Sequence, residues 1–408
     1  MTFCYTSTFA QVKPTTAADR WKGLEQRKNL AASSTIKTSF RNIGPSVMSG
    51  RVSDIEANPN DPTEFYVAYS TGGLWHTKNN GLSFAPIFDS ADVITIGDIA
   101  VNWQAKTIWV GTGEVNSSRS SYAGIGVYKS NDNGKTWEYV GLPDSHHIGK
   151  IQLHPTNNNI AWVGVLGHLY SPNKDRGVFK TTDGGKTWKH TLFVDENTGV
   201  VEMDINPQNP NELYAAAWYR TRRAWEFVAS GSGSGIYKST DGGDTWKLIS
   251  NATSGLPTGN IVGRIGLAVY PKNPQIVYAI VDNQKAKPDT AKKDSLTYAL
   301  DDLKNLSIEQ FANLNDKKLD TFLRRNRMTP RYSSKQIKEM VAANTLKPTS
   351  LYDYLYVNTG FESTPIGAEV YRSDDGGANW KKTNQKEIPI FFTYGYYFAK
   401  IYVSPYNP

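Results

Sequence analysis

Cysteine is all but absent. The single thiol in 408 residues is Cys4, so no intramolecular disulfide holds this fold and no cysteine-based zinc site can form. No stretch approaches the roughly 18 consecutive apolar residues of a membrane-spanning helix, which excludes a helical membrane protein. Charge of one sign is nowhere concentrated: 45 basic and 38 acidic residues give a net +7, but the two signs are mixed along the chain. A nucleic-acid-binding tail is therefore not expected. Phosphate loops, dinucleotide fingerprints, zinc-ligand spacings and Gly-x-Ser-x-Gly elbows are missing too, so neither a cofactor nor a metal is expected.

What the chain has instead is aromatic residues, at 12%, and 34 glycines. That combination suits pleated sheets joined by tight turns and argues against a helical bundle. The first residues, Met1 to Gln11, are apolar to small and run through Thr8-Phe9-Ala10. They read as the tail of a secretory signal peptide over 1–10, followed by an N-terminal extension over 11–40. Its removal leaves a cysteine-free chain, as suits a bacterial protein that is secreted, held at the cell surface or periplasmic.

One octapeptide recurs: Ser130 to Trp137 (SNDNGKTW), Thr181 to Trp188 (TTDGGKTW), Ser239 to Trp246 (STDGGDTW) and Ser373 to Trp380 (SDDGGANW), with a worn copy at Thr77 to Phe84 (TKNNGLSF). The closing aromatics are spaced by 53, 51, 58 and 134 residues, and the first three intervals each fit one four-stranded unit. Each octapeptide lies between two short apolar strands and so forms a hairpin turn. Asp132, Asp183, Asp241 and Asp375 are placed to accept backbone N–H groups across that turn, and the glycines to take positive φ. Trp137, Trp188, Trp246 and Trp380 are placed to pack between units as buried indoles. A second phrase opens each unit, as in Asp54 to Tyr69 and Ile265 to Val281: an alternating strand, a Pro/Asn turn and another strand.

Four-stranded antiparallel units of this size stack radially as propeller blades. The octapeptides resemble the Asp-box, or bacterial neuraminidase repeat. The pattern from Ser39 to Trp380 resembles the Asp-box propellers of sortilin-type receptor ectodomains and of xyloglucanases. Gly50-Arg51-Val52-Ser53-Asp54-Ile55 and Gly111-Thr112-Gly113-Glu114 are similar to phrases of large exported bacterial proteins with a sortilin-like N-terminal domain. The expectation is an all-β Asp-box β-propeller over 41–408, with five blades plus the first strand of a sixth.

The 134-residue interval exceeds one blade by roughly 80 residues. Ser307 to Leu314, Asp316 to Met328 and Ser333 to Leu346 carry helical periodicity, with capping-box signatures at Ser307…Gln310 and Ser333…Gln336. A helical insertion over 284–366 in blade five follows. Ala399 to Ser404 reads as the first strand of a sixth blade, which implies a longer protein and an open, association-prone edge.

The loops joining the second and third strands of each unit vary most, and function is expected where loops vary on a rigid scaffold. Their polar residues are Glu114, Arg119, His168, Tyr170, Asp175, Arg176, Tyr219, Arg220, Arg222, Arg223 and Trp225. Arg51, Lys150 and Arg264 join them from the unit entrances. The cations fit either an acidic glycan or carboxylate ligand, or bracing between blades; the aromatics fit either sugar stacking or loop packing. His146-His147 places adjacent imidazoles on opposite sides of an extended chain, which disfavours a shared metal.

The xyloglucanase resemblance implies paired carboxylates, but Ser70 stands where that family places an Asp before Gly72-Gly73. The arginine triad of sialidases is not matched either. The expected function is an exported binding or interaction module for a glycan or polypeptide, either alone or with further blades or a surface assembly. The alternative is a glycoside hydrolase or lyase acting on a polysaccharide, with Glu114 and Asp175 as candidate carboxylates.

Overall fold

A computed structural model describes residues 15–36, 50–119, 121–223, 225–287, 294–328, 332–359, 365–391 and 394–408. The expected leader over 1–10 lies outside them. Two compact units emerge: Met1–Lys285 with Ile366–Pro408, and Ala286–Pro365.

In the larger unit, α1 (Ala17–Ser33) precedes five four-stranded antiparallel sheets. Sheet one comprises β1 (Val52–Asn58), β2 (Asp61–Tyr69), β3 (Gly73–Thr77) and β4 (Ala85–Pro86). Sheet two holds β5 (Ile96–Asn102), β6 (Thr107–Thr112), β7 (Val127–Ser130) and β8 (Glu138–Tyr139), and sheet three holds β9 (Ile148–Leu153), β10 (Ala161–Val165), β11 (Gly177–Thr181) and β12 (Lys189–Leu192). Sheet four takes β13 (Thr198–Ile205) and β14 (Leu213–Tyr219), then, after a small hairpin of β15 (Thr221–Arg222) and β16 (Phe227–Val228), β17 (Gly235–Ser239) and β18 (Lys247–Leu248). Sheet five is β19 (Val262–Val269), β20 (Val277–Ala286), β21 (Pro365–Ser373) and β22 (Lys381–Lys382).

Each sheet is a meander in chain order, and its first strand touches the first strand of the next: β1 with β5, β5 with β9, β9 with β13, β13 with β19. Buried carboxylates tie these strands together. Asp98 accepts from the Ile151 N–H at 2.7 Å, Asp204 from the Val269 N–H at 2.7 Å and Asp54 from the Ile99 N–H at 3.3 Å. The first strands thus line up side by side, as in a propeller-like β protein.

The octapeptide turns are built alike. Asp132 accepts the Thr136 N–H at 2.9 Å and the Thr136 hydroxyl at 2.6 Å, while the Gly134 N–H donates to Ser130 Oγ at 2.8 Å. Asp183, Asp241 and Asp375 repeat the pattern. The worn copy keeps it with Asn79 in place of the aspartate, accepting from the Ser83 N–H at 3.0 Å. Turn and neighbouring sheet also interlock: a Cβ on Gly243, whose φ is +80°, would stand 2.4 Å from Nε1 of the fully buried Trp162 in sheet three. Only glycine fits there.

Each closing indole reaches back towards the preceding sheet in three of the turns. Trp137 Nε1 donates to the Ile87 carbonyl and Trp188 Nε1 to the Val140 carbonyl, both at 2.7 Å, and Trp246 Nε1 to Thr191 Oγ1 at 3.2 Å. Against the expectation of four buried indoles, Trp137, Trp188 and Trp246 are half-buried and only Trp380 is buried. The fully buried tryptophans are Trp109, Trp162 and Trp218, all on second strands.

A second difference lies after sheet five. Residues 399–404 are not a strand, and a short helix, α6 (Gly395–Phe398), precedes them; no described strand forms a ladder with this segment. An alternating pattern makes a strand only where a partner satisfies its backbone. The segment nonetheless lies between β19 and β1. A Cβ on Gly266 would meet the Ala399 carbonyl oxygen at 2.7 Å, and Lys400 Nζ donates to the Ser53 carbonyl at 3.1 Å.

The smaller unit contains α2 (Ile308–Ala312), α3 (Asp316–Arg325), α4 (Ser334–Ala342) and α5 (Ser350–Thr359) around Leu303, Phe311, Leu319, Phe322, Ile337 and Leu351. Ser307–Gln310 and Ser333–Gln336 form capping boxes. The sequence reading did not assign α5. Because β20 and β21 are ladder partners, replacing residues 290–362 by a short Gly/Ser linker is expected to leave the sheets folded. Loop closure depends weakly on length, so their stability should stay within about 2 kcal/mol of the parent. Loss of the β-type circular dichroism would show that the helices are part of the core.

Candidate functional site

The cations of the variable loops were open to two readings, a ligand-binding ring or bracing between blades. Most of these cations are committed internally. Arg51, just before β1, makes two 2.7 Å hydrogen bonds to Glu114 in the β6–β7 loop, and the Glu114 side chain is fully buried. That partner raises the Arg51 pKa further above its ordinary value. Lys150 pairs with Asp98 at 3.1 Å. Burial opposes its charge, but Asp98, Asp54, Glu202 and Glu56 outweigh burial and hold the ammonium protonated.

Arg264 donates to Asn116 Oδ1 at 2.9 Å and to the Tyr396 carbonyl at 3.1 Å. Arg176, equally buried, donates to the carbonyls of Asn197 at 2.9 Å and His168 at 2.6 Å. Arg220 contacts Ser117 Oγ, and Arg222 donates to the Ser117 carbonyl at 2.8 Å while stacking on Phe227 at 4.4 Å. These arginines stitch loops of different sheets together. Burial pulls the pKa of Arg176 and of Arg264 down to about 10, so both remain charged near neutrality. Nε of Arg220, Arg222 and Arg264, and Nη2 of Arg264, are buried with no protein acceptor among the described residues.

Four of the remaining sequence candidates face solvent. Tyr170 is 57% and Trp225 78% exposed; Arg119 and Arg223 are exposed, and Tyr219 is half-buried. Tyr122, not singled out in the sequence, is 61% exposed on the same loop as Glu114. The Tyr170 hydroxyl donates to the Arg119 carbonyl at 3.2 Å, linking loops of sheets two and three. Asp175 is half-buried, and burial together with the nearby Asp144 raises its pKa. Ser70, at the family's carboxylate position, is fully buried.

His147 turns inward, with Nδ1 2.9 Å from the Glu114 carbonyl oxygen. His146 instead lies against His168, ring centroids 3.8 Å apart and planes tilted by 35°. Comparing His146 only with its chain neighbour missed this pair, because His168 arrives from the next loop. Burial pushes the imidazole pKa values down to about 3 for His146 and about 4 for His168.

Along the first strands lies a cavity of about 760 Å³ that the sequence reading missed, lined by Glu56, Lys150, Gln152, Glu202, Asp204 and Tyr402 among others. Its signal was present in the acidic residues recurring at matched positions of the first strands: Asp54, Asp98 and Glu202, and, two residues on, Glu56 and Asp204. Burial raises Glu56 to about 7 and Asp204 to about 6. A carboxyl whose folded pKa exceeds its unfolded value favours the fold below the unfolded pKa and costs stability as pH rises through the folded one. These two groups should therefore make the protein less stable at pH 8 than at pH 5, by about 3 kcal/mol at most for Glu56. Glu56→Gln is expected to flatten that slope in thermal melts; an unchanged slope would refute the assignment.

The sequence matches the family described as "Sortilin, neurotensin receptor 3" over residues 126–323, just under half of the chain. The xyloglucanase Xgh74A of Acetivibrio thermocellus is 27% identical over 149 residues, covering 32% of this chain and 17% of its own. A xyloglucanase of a Paenibacillus species is 23% identical over 251 residues, covering 54% and 23%. The chain thus spans about a quarter or less of the length of these relatives. Among solved structures, the Niastella koreensis GH74 enzyme is 17% identical, with a TM-score of 0.45 over 81% of this chain and 38% of that one. The chain is a sortilin- and xyloglucanase-like, predominantly β protein of four-stranded antiparallel sheets.

Proposed function

We propose that the five sheets are Asp-box propeller blades and that the protein acts on a polysaccharide, in the manner of a glycoside hydrolase, outside the cytoplasm. The observation that carries this reading is the trio of exposed rings, Tyr122, Tyr170 and Trp225, on three different loops of one face. An aromatic face matches the apolar face of a pyranose, and rings on separate loops suit successive sugars. The buried arginines beneath hold those loops rigid, as a binding platform requires. The similarity to xyloglucanases over half the chain points to the same substrate class. Asp175 is the carboxyl we assign as general acid. Its pKa is raised, and it makes no ion pair among the described residues, whereas Glu114 is locked by Arg51.

A non-catalytic glycan- or polypeptide-binding module is the second reading, favoured by the buried Ser70 where the family carries a carboxylate. No helix among the described residues is long and apolar enough to cross a membrane. A panel of soluble polysaccharides separates the readings. Trp225→Ala and Tyr170→Ala are each expected to weaken retention in affinity electrophoresis about tenfold, as loss of roughly 1.4 kcal/mol of stacking implies. Asp175→Asn is expected to abolish reducing-end release while retention persists. Retention with no turnover by the intact protein would establish the binding module, and no retention of any polysaccharide would refute both glycan readings.

A further inference from the structure

We propose that Asp144, His146 and His168 form a binding site for a divalent transition-metal ion of the zinc type, beside the loop that carries Tyr170. One ligand atom of each residue lies within 4.8 Å of the others. Two further observations single this cluster out. Nε2 of His146 and Nε2 of His168 are both buried and have no hydrogen-bond partner, although His168 is only 9% exposed. An orphaned imidazole nitrogen in the interior is costly, and two in one cluster are costlier still. A shared metal ion satisfies both lone pairs at once.

The supporting geometry fits. His168 Nδ1 lies 2.9 Å from Ser171 Oγ, so that a proton on Nδ1 donated to the hydroxyl leaves Nε2 free to ligate; metal-bound imidazoles are commonly oriented this way. His146 sits in the left-handed region at φ +50°, a conformation that costs energy for a non-glycine residue and recurs where a side chain must be aimed. Asp144 lends the third donor, and its side chain is 39% exposed, which leaves an entry path. Two imidazoles and a carboxylate, with a fourth position open to water, are a zinc-type donor set rather than a calcium or magnesium one.

The surrounding charge is mixed. Arg20 of α1 holds Asp144 through a single 3.3 Å contact and donates to the Gly124 carbonyl at 2.9 Å; Arg176 and Asp175 lie nearby. A metal ion replaces that one long contact while Arg20 keeps its carbonyl acceptor. Tetrahedral zinc requires ligand spacings of about 3.3 Å, so the tilted imidazoles must turn for their ligand atoms, now within 4.8 Å of one another, to converge on the ion.

The test is titration of tag-free intact protein with Co²⁺, read by visible absorption, followed by displacement with Zn²⁺. One equivalent is expected to bind and to be displaced stoichiometrically. His146→Ala, His168→Ala and Asp144→Asn should each weaken Co²⁺ binding at least tenfold, with His154→Ala, on a remote turn, as an unchanged control. Circular dichroism verifies that each variant is folded. Should a histidine variant unfold, Asp144→Asn decides alone, since that residue is partly exposed. No saturable binding, or full affinity in Asp144→Asn, would overturn the site and leave an ordered water bridging the two rings.

Discussion

Truncating Trp380 to alanine is expected to cost about 3–5 kcal/mol, and Trp188→Ala or Trp246→Ala only about half as much. The four closing indoles occupy equivalent places in the repeat, so sequence alone assigns them equal weight. Their surroundings differ. Trp380 is 4% exposed and belongs to the cluster that joins sheets four and five, where it meets residues such as Tyr214, Leu256 and Tyr371. Its backbone N–H donates to the Ser254 carbonyl at 2.7 Å and its indole to the Gly377 carbonyl at 3.0 Å. Removing it opens a cavity the size of a bicyclic ring between two sheets and strips the apolar contacts on both sides. Trp188 and Trp246 lie with one side towards solvent, so water fills part of the space they vacate. Equilibrium denaturation with unchanged m-values measures the difference. Equal losses at all three sites, or a loss below about 1 kcal/mol at Trp380, would show that these contacts do not set the stability of the sheet interfaces.

What could be read from the sequence was local. An octapeptide carries its own hydrogen bonds within five residues, so Asp132, Asp183, Asp241 and Asp375 announce their turns wherever they occur, and Asn79 shows that even a worn copy suffices. Strands and capping boxes are legible for the same reason. What depends on tertiary neighbours was not. Residues 399–404 alternate like a strand yet have no ladder partner. Arg51 could be read as a ligand-binding or a bracing cation, and the choice could not be made because its partner lies 63 residues away. His168 stands 22 positions after His146, beyond β9 and β10, whereas the visible neighbour, His147, points into the core. The cavity acids Glu56 and Asp204 come from different sheets and become a group only when the first strands are set side by side.

The arginine lattice gives the second large effect. In Arg51→Met, Glu114 keeps its place in the interior with no guanidinium opposite it, and the cost is expected to be about 3–5 kcal/mol, the penalty of an uncompensated buried charge. The pair itself contributes much less than that loss, because burying Glu114 already forfeits the hydration of its carboxylate. Replacing both partners, Arg51→Met with Glu114→Leu, removes the charge as well as its counterion and is expected to recover to within about 1 kcal/mol of the parent. Glu114→Gln alone should destabilise, since an amide returns only part of the bidentate contact, and any activity it loses would then follow the melting temperature rather than the chemistry. Chemical denaturation of the two single variants and the double variant completes the cycle. A double variant no more stable than Arg51→Met would mean that the arginine acts through its packing and not through Glu114, and a loss below about 1 kcal/mol in Arg51→Met would place the pair among screened surface contacts.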